Sequence, residues 1–210
     1  MLLGLPRKSP DRTLGLALIL ITLAMLVASG IHPTDRLTWW MEVIWVVVGL
    51  PLVVLAWPRF PLTRLLCVLL VIHAGILVLG GHYTYAKVPL GDWFREWFDL
   101  SRNHYDRLGH FAQGFVPAIL ARELLLRRTG LKAGAWLFYL CVSCALAFSA
   151  FFEMIEWWAA VIMGGAADAY LATQGDIWDT QWDMFLAMCG AILSLLLLSR
   201  QHDRELGLSR

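Results

Sequence analysis

Six stretches of this chain are long and apolar enough to sit in lipid, and nothing else in the sequence constrains its fold as tightly. A spanning helix needs about 20 mainly apolar residues. Runs at 13–31, 37–57, 62–81, 106–126, 133–163 and 180–199 fit that length. Lipid offers the backbone no hydrogen-bond partner, so each run must satisfy its own amides as a helix. The expectation is an all-α polytopic transmembrane bundle of about six helices, a single integral membrane domain over 1–210. Composition agrees: 59% of residues are hydrophobic and 16% charged, where soluble domains carry about a quarter charged. The eleven tryptophans suit membrane–water interfaces. The fourth run is the least apolar. The fifth exceeds one crossing, so it should span by about Glu153 and continue beyond the membrane. Arg7, Lys8 and Arg12 precede the first run like a signal peptide's basic region. That run is long for one and no A-x-A site follows, which reads as an uncleaved anchor.

An even number of crossings puts both ends on one side. Twelve of the 17 Lys and Arg residues then fall on the side of the termini, which the positive-inside rule makes cytoplasmic. Twelve of the 16 acidic residues lie at or near the opposite side, a bias that topology does not require. Two longer loops, 82–105 and 164–178, face outward with them. A net charge of +1 gives no electrostatic footprint for nucleic acid. Cys67, Cys141, Cys144 and Cys189 all lie in apolar runs and read as small buried residues, with a redox role for the C-x-x-C pair as the lesser alternative.

The acidic residues fall on stripes. At 100° per residue, Asp176, Asp179 and Asp183 share an arc of about 60° if the helix starts at Asp176. Trp178 and Trp182 lie on roughly the opposite face, which should meet lipid. Ala187 and Gly190 continue the Asp stripe and allow close helix approach. In the fourth run, Arg102, Asp106, His110, Gln113 and Pro117 share one stripe if the helix reaches back to Arg102. In the fifth, Ser149, Glu153, Glu156 and Ala160 share another. Glu42 lies roughly 7 Å inside the outer end of the second helix. Buried charge is expensive in a membrane, about 3 kcal/mol for an Asp at a helix centre. Four helices bringing such groups to one depth imply an outward-facing acidic pocket containing Glu42, Arg102, Asp106, His110, Gln113, Glu153, Glu156, Asp176, Asp179 and Asp183.

Clustered carboxylates must be protonated, paired with Arg102, Arg107 or a protonated His, or bridged by a metal. An oxygen-rich set suits Mg²⁺, Mn²⁺ or Ca²⁺, and a larger His share Zn²⁺. In the metal reading Glu153, Asp176, Asp179 and Asp183 are the ligands. His110, aligned by Asp106, is then the general acid or base, with Glu156 beside them as a further catalytic group. Structural readings stand alongside. Asp176 and Asp179 suit a helix N-terminus, His110 could be a satisfied buried histidine, and Glu153 and Glu156 could pair with Arg102 and Arg107. His73, at mid-membrane, reads as a packed polar residue.

The strings "RNHYDRLGHFAQGFVPAILARELLLR", "FFEMIEWWAA" and "ADAYLATQGDIWDTQWDM" resemble the YjdF family of bacterial inner-membrane proteins, a family of unknown function. The resemblance implies a polytopic inner-membrane protein and brings no reaction with it. More distantly the chain is similar to VanZ-like membrane proteins, linked to glycopeptide-antibiotic resistance. Asp106, His110-Phe111, Glu153, Asp183 and Gly190 match that pattern, while Glu156 and Ala187 depart from its Gln and Asn. Three functions remain open. The first is a divalent-metal-dependent enzyme acting on a lipid or cell-envelope precursor. The second is a non-enzymatic binder or carrier of a cationic or amphipathic small molecule. The third is a structural membrane protein. Oligomeric state is not encoded in any recognisable pattern.

Overall fold

The structure is a computed structural model that describes residues 6, 8–164 and 171–208. Residues 165–170 of the expected loop 164–178, and Arg7 and Arg210 from the basic tally, lie outside the described residues. Among those described, seven helices and no strand occur: α1 (Arg12–Ser29), α2 (Arg36–Ala56), α3 (Arg64–Tyr83), α4 (Pro89–Trp97), α5 (Tyr105–Arg128), α6 (Ala135–Met163) and α7 (Asp179–Leu206). The fold is a polytopic all-α membrane bundle. Five helices, all but α4 and α5, are long and apolar enough to cross a bilayer.

The helix starts follow from capping chemistry. The Asp11 carboxylate accepts from Leu14 N at 2.8 Å, and Asp35 accepts from Thr38 N at 2.7 Å. Each satisfies a backbone donor that the first helical turn leaves open. The Thr38 bonds hold the Asp35 carboxyl below its ordinary value. α3 ends where Thr84 turns left-handed at φ 62°, which sends Tyr85 back against Gly80.

α5 is the axis. It packs against α7, α6 and α3, while α1 and α2 rest on α3. At 24 residues it spans about 36 Å, enough to cross. Its charges do not meet lipid, because Asp106, His110, Arg122 and Glu123 are all buried among its neighbours. The outer helices are the reverse: on α1 only Thr22 and Ser29 are buried, and leucines such as Leu20 and Leu23 face outward.

α5 and α7 run side by side in the same direction. Arg102, just before α5, meets Asp179 at one end, and Arg122 meets Asp203 at the other. Between these contacts the backbones touch. A Cβ at Gly114 would fall on the Ala187 carbonyl, and one at Gly190 on the Phe111 carbonyl. Glycines let membrane helices approach closely, and here they bring the α5 and α7 side chains within reach of each other. Both ends of the described chain lie at the Arg122 end, where Lys8 N donates to the Glu205 carbonyl at 3.0 Å and Arg64 N to the Lys8 carbonyl at 3.1 Å.

Several details depart from the expected pattern. The loop 82–105 contains the short helix α4, whose exposed Trp93, Phe94, Trp97 and Phe98 form an aromatic face. α6, by contrast, is one continuous 29-residue helix that matches the expected fifth run. α5 starts at Tyr105 and α7 at Asp179, so Arg102 and Asp176 occupy the preceding loops. Of the cysteines, Cys67 and Cys141 are buried but Cys144 is exposed, and all four are free.

Candidate functional site

At the α5 N-terminal end, four helices deliver acidic groups to one place: Glu42 from α2, Asp106 and His110 from α5, Glu153 and Glu156 from α6, and Asp183 from α7. All are buried, His110 to 4% exposure and Asp183 to 1%. His110 is the hub. Its Nε2 lies 3.6 Å from Asp106 Oδ1 and 3.9 Å from Asp183 Oδ2. Its Nδ1 lies 3.6 Å from Glu153 Oε1. These separations exceed hydrogen-bond length. His110 Nδ1, Glu153 Oε1 and Asp183 Oδ1 are buried and have no hydrogen-bond partner. One ligand atom from each of Asp106, His110 and Asp183 lies within 4.8 Å of the others. Around this core Gln113 bonds His110, Thr180 bonds Glu153, Tyr85 bonds Glu42, and Phe152 stands edge-on to the imidazole at 5.8 Å.

The remaining two expected ligands are held elsewhere. Asp179 takes Arg102 Nη1 at 2.5 Å. Asp176, partly exposed, takes Arg107 Nη2 at 2.6 Å and lies 3.4 Å from Arg102. The Trp178 amide, then Arg107 and Arg102, keep the Asp176 carboxyl below its ordinary range. Burial and the same two arginines hold His104 below the usual imidazole value. The arginines therefore pair with the aspartates at the rim and leave Glu153 and Glu156 unpaired. Arg102 is placed by its neighbour Asn103, which bonds Val88 O at 3.0 Å and exchanges backbone and side-chain bonds with Gln174. Trp178 and Trp182 are exposed, and the Trp182 ring carries the Arg107 guanidinium at 5.3 Å.

With both arginines engaged, Asp106, Glu153 and Asp183 surround one imidazole, and Glu42 and Glu156 are buried in the same cluster. Like charges at this separation and burial cannot all persist without protons or a bound cation. Glu42, Asp106, His110 and Glu156 of the cluster line the head of a cavity of about 750 Å³, which runs past Thr22, His73 and mainly apolar side chains to Asp11, Arg12 and Trp57. From Glu42 to Trp57 it follows α2 for about 22 Å. His73 Nε2, on its wall, is a further buried atom with no partner.

Charge patterning registered the opposite end only as a topological signal, yet it holds a second buried polar network. Glu123 accepts from Thr63 Oγ1 at 2.7 Å and Arg127 at 2.6 Å, and meets His202 Nε2 at 3.1 Å. Arg122 bonds Asp203 and donates to His202 Nδ1 at 2.9 Å. An arginine can only donate, so Nδ1 accepts and the His202 proton sits on Nε2, facing Glu123. Glu205 caps α3 through Leu65 N at 2.8 Å. The signal for this network was the pair Arg122-Glu123 on α5 aligned with "HDRE" on α7, which is visible only once those two helices are known to be neighbours.

The sequence over residues 14–204 matches the family described as "Predicted membrane protein (DUF2238)". The inner membrane protein YjdF of Escherichia coli (strain K12) is 50% identical over 182 residues, covering 87% of each chain. No solved structure matches. With nearly its whole length matched and half of the 182 aligned residues identical to that relative, the chain belongs to the DUF2238 family of membrane proteins.

Proposed function

We propose that this is an inner-membrane enzyme that uses a divalent cation held by Asp106, His110 and Asp183 to act on a lipid or cell-envelope precursor. The observation that carries the reading is the meeting of one ligand atom each from buried Asp106, His110 and Asp183 within 4.8 Å of one another, with His110 Nδ1, Glu153 Oε1 and Asp183 Oδ1 buried and unpartnered in the same cluster. Packed polar groups in a finished core are hydrogen-bonded, and these would be if their role were only structural. A cation bonded to His110 Nε2 and to the two aspartates would satisfy the charge surplus. Glu153, facing Nδ1, would then orient the ring as carboxylates do behind metal-bound histidines. Two carboxylates and one imidazole suit Mn²⁺ or Mg²⁺, with Zn²⁺ or Ca²⁺ as other candidates. A cation held there would polarise a phosphoryl or carbonyl oxygen and lower the pKa of a bound water, and Glu156, outside the ligand set, would serve as the general base. Asp176 and Asp179 belong in this scheme to the arginine rim.

The orientation follows the positive-inside rule: both termini cytoplasmic, the acidic cluster and α4 on the outer side. The inner membrane is the location carried by the name of the E. coli relative.

The test is elemental analysis of detergent-purified protein beside Asp183→Asn, after dialysis and re-addition of Mg²⁺, Mn²⁺, Ca²⁺ or Zn²⁺ singly. About one ion per chain is expected in the wild type, and none in a variant that still elutes as folded protein. A wild type that retains no ion under any condition would overturn the metal reading. It would leave a protonated carboxyl cluster suited to a cationic amphiphile.

A further inference from the structure

We infer that the cavity beneath the acidic cluster takes the hydrocarbon chain of a long single-chain lipid phosphate, of the polyprenyl class, with its phosphate at the Asp106–His110–Asp183 site. This rests on the metal reading for the phosphate contact and on the cavity alone for the chain.

The argument begins with α2. Its N-terminal half is packed, with Glu42, Val43 and Val46 buried, whereas no residue beyond Val46 is. The helix thus stands away from α5 and α6 along its second half, and the cavity of about 750 Å³ fills the gap between them. That volume lies in the range of ligand pockets, about 300–1,000 Å³. Gly15 on α1 and Gly49 on α2 both line it, and a Cβ at either would meet nothing within 4 Å. The walls between its two ends ask for an apolar occupant, because apart from Thr22 and His73 they are apolar from the acidic head to Asp11 and Arg12 at the foot.

Length selects the kind of chain. The cavity follows α2 from Glu42 to Trp57, about 22 Å. One leaflet of the hydrocarbon core is about 15 Å deep. A phospholipid with its phosphate at the cluster would need room for two tails. A single chain longer than a leaflet fills the length. Charge selects the head. The carboxylates repel a bare phosphate, while a divalent cation among them attracts one, since such ions commonly bridge carboxylate and phosphate oxygens. Arg102 and Arg107, already paired with aspartates, stand at the rim.

The experiment uses full-length protein in detergent whose metal content has been measured. Binding of a long polyprenyl phosphate, of farnesyl phosphate and of the matching polyprenol is read by native mass spectrometry, with and without chelator. One long polyprenyl phosphate per chain is expected. Farnesyl phosphate should bind at least about tenfold more weakly, because it buries far fewer methylenes. Gly49→Phe should weaken binding at least about tenfold by filling the cavity, with metal content and elution volume unchanged. Gly15→Phe does the same from another helix and covers a misfolded first variant. Equal binding of the short and long chains, no binding by the wild type, or binding untouched in both folded variants would overturn the proposal. Long-chain binding that survives chelator and falls in Gly49→Phe would uphold the chain site while rejecting the metal. Metal retained without lipid binding would do the reverse.

Discussion

Arg102 sits where one guanidinium serves two carboxylates and a carbonyl: Asp179 at 2.5 Å, Asp176 at 3.4 Å and Ala172 O at 3.1 Å. Its side chain and that of Asp179 are both about 7% exposed, so neither ion can fall back on water. Removing one partner of a buried pair strands the other, at a cost of about 3–5 kcal/mol. Arg102→Gln should therefore lower the thermal midpoint in detergent markedly. Adding Asp179→Asn to that variant should restore most of the loss, since the stranded charge is gone. If the double variant is no more stable than the single one, the pair does not carry the effect. The sequence made Arg102 and all three aspartates candidates for one pocket, because buried charge has to be justified by company. It could not say which carboxylates the arginines take. That choice depends on Asn103 and Gln174, whose mutual bonds link segments some 70 residues apart.

Between α5 and α7 the division of the site becomes mechanical. The distance from His110 to Asp183 is set about one turn further along, where Gly114 meets Ala187 and Gly190 meets Phe111 with no room for a side chain. Gly114→Ala should push the helices apart, lower thermal stability by at least about 1–3 kcal/mol and reduce metal retention at Asp106, His110 and Asp183 together. Gly49→Ala is the control: its Cβ meets open space, and Ala favours a helix interior over Gly by about 0.5–1 kcal/mol. Circular-dichroism melting of both proteins checks the contrast, and equal destabilisation would count against the close contact. The helices were legible because apolar length reports them directly, and Ala187 and Gly190 on the Asp stripe pointed to close packing. The central placement of α5 was not. Its low hydropathy made it the weakest candidate for a span, although that same polarity is what demands burial by its neighbours. α4 escaped notice because nine residues following Pro89 give too short a pattern to separate from loop.

Two buried polar networks mark the two ends of the bundle. From Asp106 to Arg122 along α5 is about 24 Å, close to the thickness of a hydrocarbon core, so each network sits near one boundary. They differ in how their atoms are satisfied. At the Glu123 end both carboxylate oxygens are bonded, by Thr63, Arg127 and His202, and of the buried side-chain atoms there Arg127 Nε alone among the described residues lacks a partner. At the Glu156 end five carboxyls and one imidazole are buried together, and three atoms of the cluster have no partner. A satisfied buried network stabilises and an unsatisfied one destabilises, so neutralising a carboxylate should have opposite effects at the two ends. Glu123→Gln breaks charge-assisted bonds and leaves Arg127 buried beside a neutral amide. Its expected cost is about 3–5 kcal/mol, a fall in thermal midpoint on the order of 10 °C for a chain of this length, with metal content unchanged. Glu156→Gln removes one of several mutually repelling groups. In chelator-treated protein it should raise the midpoint by a few degrees, on the order of 1 kcal/mol. Unfolding scans of both variants, with and without added metal, decide the matter. A gain at Glu156 that vanishes when metal is restored would mark the acidic end as a place where stability is given up to hold a ligand, as binding sites commonly do. A loss at Glu156 comparable to that at Glu123 would make both ends structural staples and remove the main argument for chemistry at the first.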